Sequence, residues 1–338
     1  MRTDLSIYGG LLLAGLGVAW WASMPAKDGE ADKITLWDIN PDTITEINYT
    51  TAELNVAAKR DGDSKRFWVQ VDKKANEKEP NSKAESDRFL ANDEMADVLS
   101  GFHPFRAQRS LGKVKDEQLV EFGLKDAGET LKVVTKDGPL ELKLGKKSYG
   151  SRNQFALDPK ESKVLLVDGK VLQTLGAAKS RLYERRLMIS NMEEVSRAIV
   201  EAGPKKKTMV RTKKEDGSGF KWSDDVKDSL EKPSYGSWID KVSKLRALTY
   251  STAEEDGLLA QAKPFLTVSF EKDGGLTDKL EFRKIDLPGP PIPAVKDPQA
   301  KAVDKTGFFV TSQFLKATVR LASARVESLE KDMPSILE

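Results

Sequence analysis

Four of the chain's seven Asp-Gly pairs set its frame. Asp61-Gly62, Asp137-Gly138, Asp216-Gly217 and Asp273-Gly274 each stand between two runs of alternating apolar residues. Asp-Gly readily takes the left-handed backbone of a tight hairpin, and alternation with period two lays one face of a strand on a core. Antiparallel sheet is therefore the expectation along much of the length. Ile44, Ile47 and Tyr49, then Leu54 and Val56, then Phe67, Val69 and Val71 read as three strands, with Asp61-Gly62 turning the second into the third. Leu131 to Thr135 and Leu140 to Leu144 flank the next turn, and Phe155 to Leu157 and Val164 to Val167 add two strands. Asp93 can cap a helix carrying Met95, Val98, Leu99 and Phe102 on one face. A shorter helical piece spans Asp116 to Phe122, and a third helix starts at Asp168 and runs to about Tyr183. Lys73 to Ser86 is polar and lacks periodicity, so it reads as a surface loop.

The second half repeats this order. Met192 to Val200 resembles the opening strand, Thr208 to Thr212 and Phe220 to Trp222 the next hairpin, and Tyr235 to Leu248 the helix. Trp222 stands where Trp68 stood. Phe265 to Phe270 and Lys279 to Phe282 form a hairpin around Lys272-Asp273-Gly274, echoing Lys136-Asp137-Gly138. Phe308 to Val310 then leads into a helix from Phe314 to about Leu329. The expected fold is α+β: two tandem, duplicated units of antiparallel sheet, residues 41–187 and 188–338, with helices packed on one side. A Pro-rich insertion at 286–298 interrupts the second unit. Pro288, Pro290, Pro291 and Pro293 force it to be extended, as a partner contact or a plain surface excursion.

Leu5 to Met24 holds no charged residue across 20 positions. At about 1.5 Å per residue a helix of that length spans a bilayer core. One N-terminal transmembrane helix at 5–24 is therefore expected ahead of the two units, with residues 1–4 as a tail and 25–40 as a tether. Tyr8 near one end, and Trp20 and Trp21 near the other, suit the membrane interface. Arg2 precedes the stretch and acidic residues come after it. The positive-inside rule then puts the N-terminus in the cytoplasm and the bulk of the chain in a bacterial periplasm. A cleaved signal peptide is the rival, but Ala22-Ser23-Met24-Pro25 is a poor cleavage site. Gly10 with Ala14, and Gly15 with Ala19, form small-xxx-small pairs that let membrane helices pack closely.

The 338 residues include no Cys and a single His, His103. Disulfides, thiolate metal sites and multi-His sites are excluded, and no cofactor or metal is expected. Lys and Arg number 55 against 53 Asp and Glu, so net charge draws no nucleic acid. Ser110-Leu-Gly-Lys113, Ser151-Arg-Asn153 and Lys305-Thr-Gly307 imitate a serine acyl-transferase set. The first element would have to open a long buried helix, whereas Lys113 leads into a short polar stretch. The pattern also recurs at Ser229–Lys232 and Ser328–Lys331, so no catalytic residue is assigned. Asp224-Asp225, Glu193-Glu194 and Glu254-Glu255-Asp256 read as solvated turns, and Lys205 to Lys207 and Arg185-Arg186 as solvated basic faces or contacts to anionic envelope polymers or lipid.

Arg66-Phe67-Trp68-Val69, the helix from Asn92, Phe122-Gly123-Leu124, the hairpin ending Leu142-Lys143-Leu144-Gly145, and Val164 to Val167 together resemble a known pattern. It is that of the bacterial family catalogued as domain of unknown function 4340. The resemblance covers most of residues 34–330, more weakly in the second half; Phe122 stands where Tyr is usual. The resemblance implies a non-enzymatic, extracytoplasmic accessory subunit of an ABC-type complex, partnered by its permease and ATPase and held to membrane lipid by its N-terminal segment. The rival reading is an independent anchored module binding cell-wall glycan or another envelope polymer.

Overall fold

The computed structural model describes residues 33–338 except 63, 76–82, 227–228 and 288–305. Among these, 44% are strand and 21% helix. In chain order the strands are β1 (Ile34–Trp37), β2 (Ile44–Thr50), β3 (Leu54–Arg60), β4 (Phe67–Lys73), β5 (Glu85–Leu90), β6 (Phe105–Gly112), β7 (Glu129–Thr135), β8 (Gly138–Lys147), β9 (Gln154–Asp158) and β10 (Lys163–Val167). Next come β11 (Arg197–Ala202), β12 (Lys205–Lys213), β13 (Phe220–Asp224), β14 (Thr249–Tyr250), β15 (Leu266–Lys272), β16 (Gly275–Asp286), β17 (Thr306–Ser312) and β18 (Ala317–Leu321). The helices are α1 (Glu94–Ser100), α2 (Asp116–Glu121), α3 (Lys170–Gly176), α4 (Ala178–Arg181), α5 (Pro233–Ser243), α6 (Ala253–Leu259) and α7 (Ser323–Ile336).

The expected α+β class is therefore corrected to a mostly β protein of large antiparallel sheets. The physical reason lies in strands that carry little apolar signal. β6 buries only Phe105 and Ala107 among its polar residues, and β5 buries only Phe89 and Leu90. The supposed helix from Phe314 is two elements. Lys316 takes a left-handed φ of 53°, which turns the chain into β18, and α7 starts only at Ser323. Likewise the helix from Asp168 is split at Ala177 into α3 and α4. The polar stretch 73–86 ends inside β5 rather than in a loop. No described helix is long and apolar enough to cross a membrane. The expected span at Leu5–Met24 lies outside the described residues.

The described chain forms two compact units. The first comprises residues 33–44 and 99–173. Its strands lie in the order β1-β6-β10-β9-β8-β7, all antiparallel. Trp37, Phe102 and Phe105 stack within it at centroid distances of 5.4 to 6.5 Å.

The second unit comprises residues 45–98 and 174–338. It holds the meander β2-β3-β4-β5 and an eight-stranded sheet in the order β13-β12-β11-β15-β16-β17-β18-β14. The Asp-Gly expectation holds best at β15–β16. Asp273 and Gly274, at φ 51° and 81°, form the two-residue loop that joins them. One face of the eight-stranded sheet carries Val200, Met209, Val268, Phe270, Leu280, Phe282, Val310 and Val319 into a core closed by Tyr235, Trp238 and Val242 of α5 and Val326 and Leu329 of α7. Trp238 also donates its indole N–H to the Leu329 carbonyl at 3.2 Å. Leu90 and Trp68 of the meander join this core. Cross-strand pairing puts Tyr49, Val56, Val71, Asp87 and Phe89 on the meander's other face.

Candidate functional site

That second face of the meander is only partly covered. Gly176, at the end of α3, approaches the Tyr49 ring so closely that a β-carbon there would sit 3.7 Å from it. Tyr183 packs its ring on Phe89 at 4.7 Å. Between these contacts the short α4 leaves a cleft of about 470 Å³ open at the ends of β3, β4 and β5. Its floor is apolar, from Leu54, Val71, Ala177 and Ala178. Its rim is charged, from Glu53, Lys73, Glu85, Asp87, Lys179 and Arg185. Concave, apolar-floored spaces of this size are the usual form of ligand sites.

Lys179 crosses the rim. Its ammonium lies 2.6 Å from Asp87 and 3.0 Å from Glu85. The hydrogen bonds that Lys179 donates to Asp87 and then to Glu85 push the Lys179 pKa up, and the bond from Lys179 pulls Glu85 down. Arg185 donates to the Ala247 carbonyl at 3.1 Å and lies over the Tyr183 ring.

Behind the cleft a buried ion pair braces the segment that carries Arg185, and ties it to Asp93 ahead of α1. Glu184 has a side chain only 4% exposed, and Arg186 meets it through Nε at 3.0 and 3.1 Å and Nη2 at 2.6 Å. Arg186 also reaches Asp93 at 3.0 Å. The Glu184 bond pushes the Arg186 pKa upward. Tyr183 and Tyr250 complete this wall: the Tyr250 N–H donates to the Tyr183 hydroxyl at 2.9 Å, and the Tyr250 hydroxyl donates to the Glu184 carbonyl at 3.3 Å. Burial pushes both phenols up.

A second concavity of about 720 Å³ lies along the outer ends of β16, β17 and β18. Glu281, Thr311, Gln313 and Thr318 line it, with no aromatic platform among its described residues. Arg283 donates to the Thr311 hydroxyl at 2.8 Å, which itself lies 2.9 Å from that of Thr318.

The residues singled out in the sequence fall elsewhere. Tyr8, Gly10, Ala14, Gly15, Ala19, Trp20 and Trp21 lie outside the described residues, as do Pro288, Pro290, Pro291 and Pro293. Ser110 sits on strand β6, where its hydroxyl accepts from the Gly112 N–H at 3.1 Å; no helix places Lys113 beside it. Ser151 occupies a turn and accepts from the Asn153 N–H, while Arg152 pairs with Asp168 at 2.8 Å. His103 lies 2.6 Å from Asp38 on an exposed surface. Trp68 and Trp222 both pack on the second unit's core. Asp224 accepts from Lys232 at 2.8 Å, Tyr235 at 2.6 Å and Lys207 at 3.1 Å, and these bonds, Lys232 first, hold its carboxyl below the usual range. Asp225 pairs with Arg197, and Glu194 with Lys272. Glu255 completes a capping box with Thr252 at the start of α6. Among the described residues no group of three or more His, Asp or Glu could hold a metal.

Sequence reading missed the cleft. Lys179 and its two carboxylates stand more than 90 positions apart, and no local pattern joins them. No curated protein and no solved structure matches the chain. Residues 106–264, from β6 to just before β15, match the family described as "Domain of unknown function (DUF4340)".

Proposed function

We propose that this chain is a non-enzymatic accessory subunit of an ABC-type complex in the bacterial envelope, and that it works by binding a partner at the cleft beside Lys179. One observation carries the non-catalytic part. Among the described carboxylates, lysines and tyrosines, every pKa that moves is driven away from neutrality: Asp224, Glu85 and Glu281 go down, while Lys179, Lys232, Tyr183 and Tyr250 go up; burial lowers only two guanidinium groups, Arg66 and Arg211, from a far higher starting point. A general acid or base must instead sit near the operating pH. In each case the cause is a partner within the chain or burial, which is the pattern of structural ion pairs. The cleft supplies the binding part, with an apolar floor framed by charges of both signs. The envelope address draws on the uncharged stretch 5–24 in the sequence.

The test is recovery of the tagged full-length protein from native membranes in mild detergent, with mass spectrometry of the proteins that co-purify. A permease and an ATPase in fixed ratio, retained through gel filtration, support this function. A protein that elutes alone while it sediments with purified cell wall overturns it in favour of a polymer-binding module.

A further inference from the structure

The cleft is bordered by a strand edge whose hydrogen bonds are half used. The Ala91 N–H bonds to the Phe67 carbonyl across β4, so odd-numbered residues of this segment turn their backbone groups toward β4. Even-numbered residues turn theirs outward. At one end of β5 the outward groups are taken: Leu90 accepts from the Glu184 N–H at 2.9 Å, and the Asn92 N–H donates to Leu182 at 2.8 Å. The chain then leaves β5, because Arg186 pairs instead with Arg246. Further along, the outward N–H and C=O of Ser86 and Arg88 take no backbone partner among the described residues. This is the stretch that faces the cleft, with Asp87 between them lining it.

We infer that the free edge of β5 at Ser86 and Arg88 receives an extended peptide strand of a partner protein, which extends the meander by one strand and lays an apolar side chain on the cleft face beside Asp87. The inference rests on the reading of this cleft as a partner site. A polypeptide fits where a sugar or a lipid does not, because alternate donors and acceptors along a strand edge are complementary to another strand's backbone. The segment Leu182–Glu184 already pairs in this manner with the end of β5. A peptide would continue that pairing over two further residues. Its side chains alternate, so every second one points into the cleft. Lys179, clamped between Glu85 and Asp87, keeps the rim near neutral, so the recognised side chain is apolar rather than charged.

The experiment uses the purified full-length protein in detergent and a display library of random dodecapeptides. Selected peptides are measured against the wild type, Ser86→Ala and Ser86→Pro. Proline on a free edge deletes an outward N–H without touching the ladder to β4. Ser86→Ala controls for the lost hydroxyl, which bonds Asp72 at 2.7 Å and Gln70 at 2.6 Å. The inference expects binding to the wild type and Ser86→Ala, and about tenfold weaker binding to Ser86→Pro. Hydrogen exchange of the wild type gives a second readout that does not depend on the variant folding. The Ser86 and Arg88 amides should gain protection with peptide, while that of Asp87 stays protected throughout. A library without binders, binders indifferent to Ser86→Pro, or protection that falls elsewhere overturns the inference. None of these results bears on whether a permease and an ATPase co-purify.

Discussion

Removing the side chain of Arg186 should destabilise the second unit, and the size is set by the burial of its partner. In Arg186→Ala the Glu184 carboxylate, 4% exposed, loses three close side-chain contacts and keeps only the residue 186 N–H at 2.8 Å. Stripping one partner from a buried pair costs about 3–5 kcal/mol. Arg186 is itself 44% exposed, so water enters the space it leaves, and the expected loss falls to about 2–3 kcal/mol. Glu184→Gln should cost less, about 1 kcal/mol, because the amide oxygen still accepts and Arg186 keeps Asp93. The double variant then decides. With no buried charge left, Glu184→Gln/Arg186→Ala should be more stable than Arg186→Ala alone by about 1 kcal/mol. The assay is urea unfolding monitored by tryptophan fluorescence, since Trp68, Trp222 and Trp238 report on the same core. A single variant within about 0.5 kcal/mol of the wild type, or a double variant weaker than Arg186→Ala, refutes the reasoning.

The same geometry sets three other expectations. The Asp224 carboxyl is held below its unfolded value, so its contribution to stability is present above about pH 4 and is lost as pH falls toward the folded value. Asp224→Asn should therefore cost about 1 kcal/mol at pH 7 and flatten the acid limb of the stability curve below about pH 4, measured by urea midpoints across pH; a parallel curve shows that the carboxylate's charge is not what is used. A β-carbon at Gly169 would collide with the Arg152 carbonyl oxygen, so Gly169→Ala should cost about 2–3 kcal/mol. At Gly176 the same methyl meets only ordinary contact with Tyr49, and Gly176→Ala should be neutral or stabilising by up to about 1 kcal/mol. Thermal melts of the two variants check the contrast, and equal melting temperatures contradict it.

Much of the strand order was legible because Asp-Gly turns and period-two alternation are local signals. β3–β4, β7–β8, β12–β13 and β15–β16 all form around the turns read from them. β6 was not legible, since it is paired on both sides yet presents Arg106, Gln108, Arg109 and Ser110 in its middle. Its place in the sheet comes from neighbours distant in sequence, and Ala107 is too small to mark the buried face. β18 was hidden because Val319 and Leu321 run on into Val326 and Leu329, and the combined spacing imitates a helix until Lys316 and Ala322 are seen to break it. The cleft was illegible for another reason. Lys179, Glu85 and Asp87 are ordinary surface charges until α4 is laid across the meander, and Arg185-Arg186 looked like a solvated pair until Glu184 was found buried beside it.

Under the proposed function, the cleft beside Lys179 is where a partner binds. The most direct measurement is photocrosslinking in living cells, with benzoylphenylalanine placed at Ser180 on the cleft rim and, separately, at Thr208 on β12 of the eight-stranded sheet. A discrete crosslinked protein is expected from position 180, competed by excess unlabelled wild-type chain, and none from position 208. No crosslink at 180, or the same products from both positions, contradicts it.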